Sequence, residues 1–153
     1  MITVTGNNEV LGKVRRIELI VVDDDSADVA LLMNALEDCK VLERVIVKKN
    51  GQELIDFLNQ RLNLHGGLPD LILLDLNMPK KNGRQVLKEL KQSENLRQIP
   101  VIIFTSSDDE KDVFECYQMY ANSYIKKPME VDKMKDVVLK IEEFWFKTVT
   151  LVS

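Results

Sequence analysis

The sequence predicts an α/β fold, a doubly wound five-stranded parallel sheet with helices on both faces, and three observations lead there. Five short apolar runs of strand length alternate with segments whose apolar residues recur at helical spacing. Several of the runs are apolar without alternation, as strands covered on both faces must be. The runs also end in polar residues, Asp23, Asp75, Thr105 and Lys127, so one edge of the sheet is a place for chemistry.

The elements follow in order. The first strand is IELIVV, 17–22, and the helix after it carries Val29, Leu32 and Leu36 on one stripe. RVIVK, 44–48, leads to a helix marked by Leu54, Leu58 and Leu62. LILLD, 71–75, is followed by the turn-rich DLNMPKKNG, in which Asn82 and Gly83 read as a turn, and then by Val86, Leu87 and Leu90. PVIIFT, 100–105, precedes a helix whose capping box is Ser107 with Glu110 and whose stripe is Val113, Cys116 and Tyr120. SYIKK, 123–127, precedes the clearest helix, where Met134, Val138, Ile141 and Trp145 share a face. Right-handed crossovers leave few topologies for this order, and 2-1-3-4-5, the flavodoxin-like arrangement, is the commonest. Residues 17–146 form the domain, 1–16 an N-terminal extension and 147–153 a C-terminal tail.

Bulk properties exclude several classes. At 153 residues and 45% hydrophobic, the chain builds one core. A net charge of −4 gains nothing from nucleic acid or an anionic membrane through counterion release. The N-terminus lacks the apolar region of a signal peptide and no run is long enough to span a bilayer, so a cytoplasmic location is expected. Cys39 and Cys116 lie far apart without a CxxC pattern, and read as buried free thiols. His65, the single histidine, sits in the turn-rich LHGGLP and reads as a surface residue.

In the predicted topology, ligands bind beyond the carboxyl ends of the strands, at the switch point between strands 1 and 3. Asp23 and Asp24 end the first of these and Asp75 the second. Two carboxylates at ~4 to 5 Å repel by roughly 3 to 4 kcal/mol at an effective dielectric near 20. Either they take up protons or a hard divalent cation sits among them. Mg²⁺ suits such a cluster, because it accepts one or two carboxylates and keeps its other positions for water and phosphate oxygens. Thr105 adds a hydroxyl donor and Lys127 an ammonium, while Lys126 faces the other way. Taken singly, Asp24, Asp25 or Ser26 would be no more than a helix cap.

The stretches VVDDDSAD, LILLDLNMPKKNG, VIIFTSS and YIKKP, in this order and at these strand ends, resemble the receiver domain of bacterial two-component response regulators. The likeness covers about residues 17–146. The wording LLDLNMPKKNGRQVLKELK and the ending FWFKTVTL resemble, more narrowly, the small response regulators that serve cyanobacterial-type phytochromes. By that resemblance Asp75 is the phosphoacceptor, and Asp23, Asp24, Asp75 and the Asn77 carbonyl hold Mg²⁺, with Mn²⁺ as its substitute. Thr105 and Lys127 then stabilise the phosphoryl group, Thr105 and Tyr124 form the switch, and the Lys127–Pro128 peptide is cis. The implied donor is a sensor histidine kinase of phytochrome type, and the implied role is that of a single-domain regulator in a phosphorelay without turnover of an external substrate. This pattern carries three aspartates where two suffice, and Lys126 where an apolar residue is usual.

Phe144, Trp145 and Phe146 are consecutive, and at ~100° per helical residue they cannot all face one stripe. By resemblance they contribute to a homodimer; the alternative is a tail folded back on its own subunit. Two rival functions remain. A Mg²⁺-dependent phosphohydrolase with an aspartyl-phosphate intermediate places an acid two residues after its nucleophile, where this chain has Asn77. A constitutive adaptor with a vestigial pocket would not respond to phosphorylation.

Overall fold

The structure, a computed structural model, describes residues 16–152. The N-terminal extension expected at 1–16 therefore lies, apart from Arg16, outside the described residues. The strands are β1 (Ile17–Val22), β2 (Leu42–Lys48), β3 (Leu71–Leu74), β4 (Val101–Thr105) and β5 (Ser123–Lys126). The α-helices are α1 (Ser26–Leu36), α2 (Gly51–Asn63), α3 (Gly83–Gln92), α4 (Glu110–Gln118) and α5 (Val131–Ile141), and a π-helical segment (Glu142–Thr148) follows α5. All strand pairs are parallel and the order is β2-β1-β3-β4-β5, the topology read from the sequence.

Alternation of side chains across the strands divides the core in two. Ile20, Val22, Ile72, Leu74, Val101 and Ile103 face a layer made by Leu54 and Leu58 of α2, Val86, Leu87 and Leu90 of α3, and Cys116 of α4. Leu19, Val21, Leu71, Leu73, Ile102 and Phe104 face Leu32 and Leu36 of α1 and Met134, Val138 and Ile141 of α5. Every residue of β3 and β4 is buried, because each has a strand on either side and a helix layer above and below. β2 and β5, at the edges, are only part-buried.

The helix starts show where local chemistry prevails. Asp25 caps α1, accepting from the N–H groups of Ala27 and Asp28. Asn82 and Gly83 do not form a free turn: Asn82 caps α3 in a reciprocal box with Gln85, and Gly83 is the first helical residue. Ser107 does not cap α4 either. Asp109 does, accepting from the Lys111 N–H, while the Ser107 hydroxyl donates to Asp112 at 2.7 Å. Tyr120 leaves the expected α4 stripe. The helix has ended at Gln118, Tyr120 is left-handed with φ 68°, and its side chain is exposed.

The C-terminal segment departs from simple helical spacing for a similar reason. Beyond Ile141 the turns widen to i→i+5 bonds, with Val149 N–H donating to the Phe144 carbonyl at 2.8 Å. The wider turn carries Phe146 into the core beside Ile141, leaves Trp145 half-buried and Phe144 54% exposed. Phe146 is thus committed to its own subunit, contrary to its expected part in a dimer contact. Leu151 packs into the same cluster, so the tail folds back on its own chain. The Lys127–Pro128 peptide is not cis, since no cis bond occurs among the described residues; the Lys127 N–H donates to the Thr105 carbonyl, which carries the β4–β5 ladder one residue past β5. No helix among the described residues is long and apolar enough to cross a membrane.

Candidate functional site

The sheet ladder places the acids. Asp23 N–H donates to the Lys48 carbonyl at 3.0 Å and Asp75 N–H to the Val22 carbonyl at 3.0 Å, so each aspartate is fixed one residue past its strand. Asp23 and Asp75, far apart in sequence, become neighbours because β1 pairs with β3. Carboxylate oxygens of Asp23, Asp24 and Asp75 lie within 4.8 Å of one another. Asp23 and Asp75 are buried and Asp24 is exposed, which leaves the cluster open on one side. There an open cleft is lined by Asp24, Asn77, Met78, Pro79, Asn82 and Arg84.

Lys127 enters from the end of β5. Its Nζ donates to Asp23 Oδ2 at 2.7 Å, Asp28 Oδ2 at 3.0 Å and Asp75 Oδ2 at 3.3 Å, and the residue is 4% exposed. Burial opposes its charge, but the bonds to Asp23 and Asp28 and the negative charge of Asp75 outweigh that and hold the ammonium well above the ordinary lysine range. Burial pushes the Asp23 carboxyl upward, against the opposing pull of Lys127. Both directions are consistent: several carboxylates share one ammonium, so the cation is over-stabilised while the acids remain under-compensated. Lys126 points away and pairs with Asp108 at 3.1 Å.

The remaining polar atoms are unevenly satisfied. Asp23 Oδ1 accepts from Asp25 N–H at 2.9 Å, and Asp75 Oδ1 from Asn77 N–H at 3.3 Å. Thr105 is fully buried, and its hydroxyl has no hydrogen-bond partner among the described residues. Such a group costs about 1 to 3 kcal/mol. Tyr124 is part-buried against the α2–α4 side of the core, and its hydroxyl donates to the Ser107 carbonyl at 2.8 Å, two residues beyond Thr105. Arg84 pairs with Asp112 and Glu115, and Asp112 also accepts from Ser107, so α3, α4 and the loop after β4 are tied together.

The donor set fits a hard divalent cation. It offers oxygen only, it holds more negative charge than Lys127 neutralises, and no histidine or thiol is near to favour a softer metal. Asp23, Asp24, Asp75, Asn77, Thr105, Lys127 and Tyr124 all gather at this end of the sheet, whereas Phe144, Trp145 and Phe146 follow α5, outside the cluster. Sequence reasoning missed Asp28. Its signal was the phrase DDDSAD, which puts a further acid in the first turn of α1 on the side of the strand ends.

Comparison with known proteins gives a consistent set of likenesses. The model of the response regulator receiver domain matches residues 19–139. Response regulator Rcp1 of Synechocystis is 38% identical over 134 residues, 87% of this chain and 91% of that protein. The probable methanogenesis regulatory protein FilR2 of Methanothrix harundinacea is 37% identical over 129 residues, 83% of this chain and 82% of that one. Among solved structures, the phosphorylated cyanobacterial phytochrome response regulator RcpA matches with a TM-score of 0.83 and 39% identity, covering 90% of this chain and 99% of that one. The Mn²⁺-bound form of Rcp1 matches with a TM-score of 0.80 and 37% identity over the same shares.

Proposed function

The chain belongs to the response regulator receiver family, a signalling family, and from that premise we propose that it accepts a phosphoryl group on Asp75 from the phosphohistidine of a sensor histidine kinase. The kinase is of phytochrome type, as the likeness to Rcp1 and RcpA suggests. The observation that carries the reading is the convergence of Asp23, Asp24, Asp75 and Lys127 around one point, beside a buried Thr105 hydroxyl with no partner.

Each residue has a physical role in this proposal. Phosphoryl transfer passes through a loose transition state, so positioning and charge neutralisation supply most of the catalysis. Asp75 is the nucleophile, held by its backbone bond to β1 and by the Asn77 N–H on its other oxygen. Asp23, Asp24, Asp75 and the Asn77 carbonyl would hold Mg²⁺, or the Mn²⁺ with which Rcp1 was crystallised, and such a metal would supply a second positive centre for the phosphoryl oxygens. Lys127 neutralises one of these oxygens. Thr105 donates its free hydroxyl to another. Tyr124, already bonded to the Ser107 carbonyl, couples the position of that loop to the surface of α4 and β5. The phosphoryl group brings ~1.5 to 2 negative charges, enough to reset these contacts.

Output passes by protein contact. Exposed Phe144 and half-buried Trp145, their rings edge to face at 5.6 Å, offer apolar surface after α5 that suits a homodimer. Incubation with acetyl phosphate and Mg²⁺, read by intact mass, should add one phosphoryl group to the wild type and none to Asp75→Asn. Uptake by Asp75→Asn at the wild-type rate would reject the assignment.

A further inference from the structure

The Lys127 ammonium has three N–H donors and three carboxylate partners, and the partners are not equivalent. Asp23 and Asp75 also belong to the acidic trio that fits a divalent cation, whereas Asp28 does not. We propose that Asp28 is a positioning residue for Lys127: its carboxylate keeps the ammonium aimed at the phosphorylation site when Asp23 and Asp75 turn to other partners. The inference rests on the receiver reading and adds a residue to it.

Among the described residues the Asp28 carboxylate has no other hydrogen-bond or ion-pair partner. Its side chain is 14% exposed, and its bond to Lys127 joins residues 99 apart in sequence. Its own N–H donates to the Asp25 cap at 3.1 Å, so the residue sits in a fixed first turn of α1. An acid in a helix's first turn interacts favourably with the helix dipole from a solvated position, without reaching a buried lysine. Asp28 does reach it. A lysine side chain has many rotamers, and an incoming phosphoryl oxygen needs one N–H released while the ammonium stays in place. Asp28 meets that need because it holds the ammonium from the α1 side and has no duty in the acidic trio.

Two readouts test the role on the full chain, with Asp28→Ala, Asp28→Asn, Lys127→Ala and the double variant Asp28→Ala/Lys127→Ala. The first is the rate of Asp75 phosphorylation by acetyl phosphate. Asp28→Ala should slow it about tenfold, Asp28→Asn should fall between it and the wild type because it keeps an acceptor oxygen, and Asp28→Ala should cost nothing further once Lys127 is gone. The second is the ¹H–¹⁵N cross-peak of the Lys127 ammonium in metal-free protein, sharp in the wild type, lost in Asp28→Ala and partly kept in Asp28→Asn. This readout decides the anchor even if the wild type takes up no phosphoryl group, an outcome that would reject the receiver function alone. A wild-type rate in Asp28→Ala, an equal slowing in the Lys127→Ala background, or an unchanged ammonium signal overturns the proposal.

Discussion

Lys127→Met isolates the electrostatics on which the site depends. The substitution keeps the apolar stem but removes the cation facing Asp23, Asp28 and Asp75 at 2.7, 3.0 and 3.3 Å. At an effective dielectric near 20 each of these contacts is worth roughly 5 to 6 kcal/mol of attraction. Desolvation offsets most of that, and removing one partner of a buried cluster leaves a net loss of about 3 to 5 kcal/mol. Protonation of Asp23, whose carboxyl burial already pushes upward, limits the loss from above. With a urea slope of ~1 to 3 kcal/mol per molar, the midpoint in EDTA should fall by roughly 2 M. Mg²⁺ should then stabilise the variant more than the wild type, because Lys127 no longer competes for the same carboxylates. A 100-fold excess over Kd restores about 2.7 kcal/mol. Paired urea titrations in EDTA and in Mg²⁺ at constant ionic strength measure both effects. A wild-type midpoint in EDTA, or equal stabilisation of both proteins by Mg²⁺, would refute the reasoning.

Other consequences can be checked on the same material. Thr105→Val removes a buried hydroxyl that has no partner, so the unphosphorylated protein should gain about 1 kcal/mol in urea while phosphorylation by acetyl phosphate slows; a loss of stability counts against the unsatisfied hydroxyl. Gly83→Ala would press a Cβ onto the Asp75 carbonyl oxygen and to within 2.6 Å of Leu76 Cα, so it should cost ~1 to 3 kcal/mol and slow phosphorylation together. Phe146→Ala should cost about 3 to 5 kcal/mol by thermal or urea unfolding, and Phe144→Ala less than about 0.5, because only the first is buried. Burial pushes the Cys39 and Cys116 thiols up to about 11, so the unfolded chain loses these protons first; stability should hold at neutral pH and decline as pH rises from the ordinary thiol range toward about 11. Urea midpoints across that window should fall, and fall less in Cys39→Ala/Cys116→Ala.

The sheet and the acidic cluster were legible because their causes are local or topological. Unalternating runs such as LILL force burial on both faces, and the strand order then brings Asp23 beside Asp75. Where two local signals competed, the sequence was less informative. Ser107 and Asp109 are both good caps for α4; the helix begins at Glu110, so Asp109 holds the cap position, while Ser107 Oγ accepts from the Asp109 N–H and donates to Asp112. At the C-terminus, 3.6-residue spacing put Trp145 on the buried stripe, but the π-helical turn moved Phe146 there instead. Asp28 was hidden for a different reason. Its partner Lys127 lies 99 residues away, just past β5, and an acid in a first helical turn already has an ordinary local explanation.

The most direct test of the central claim is chemical trapping of the phosphorylated side chain. Borohydride reduces an aspartyl phosphate to homoserine, so treatment after acetyl phosphate and Mg²⁺, followed by peptide sequencing in the mass spectrometer, should find homoserine at position 75. Homoserine at position 23, 24 or 28, or at no position, would contradict the account.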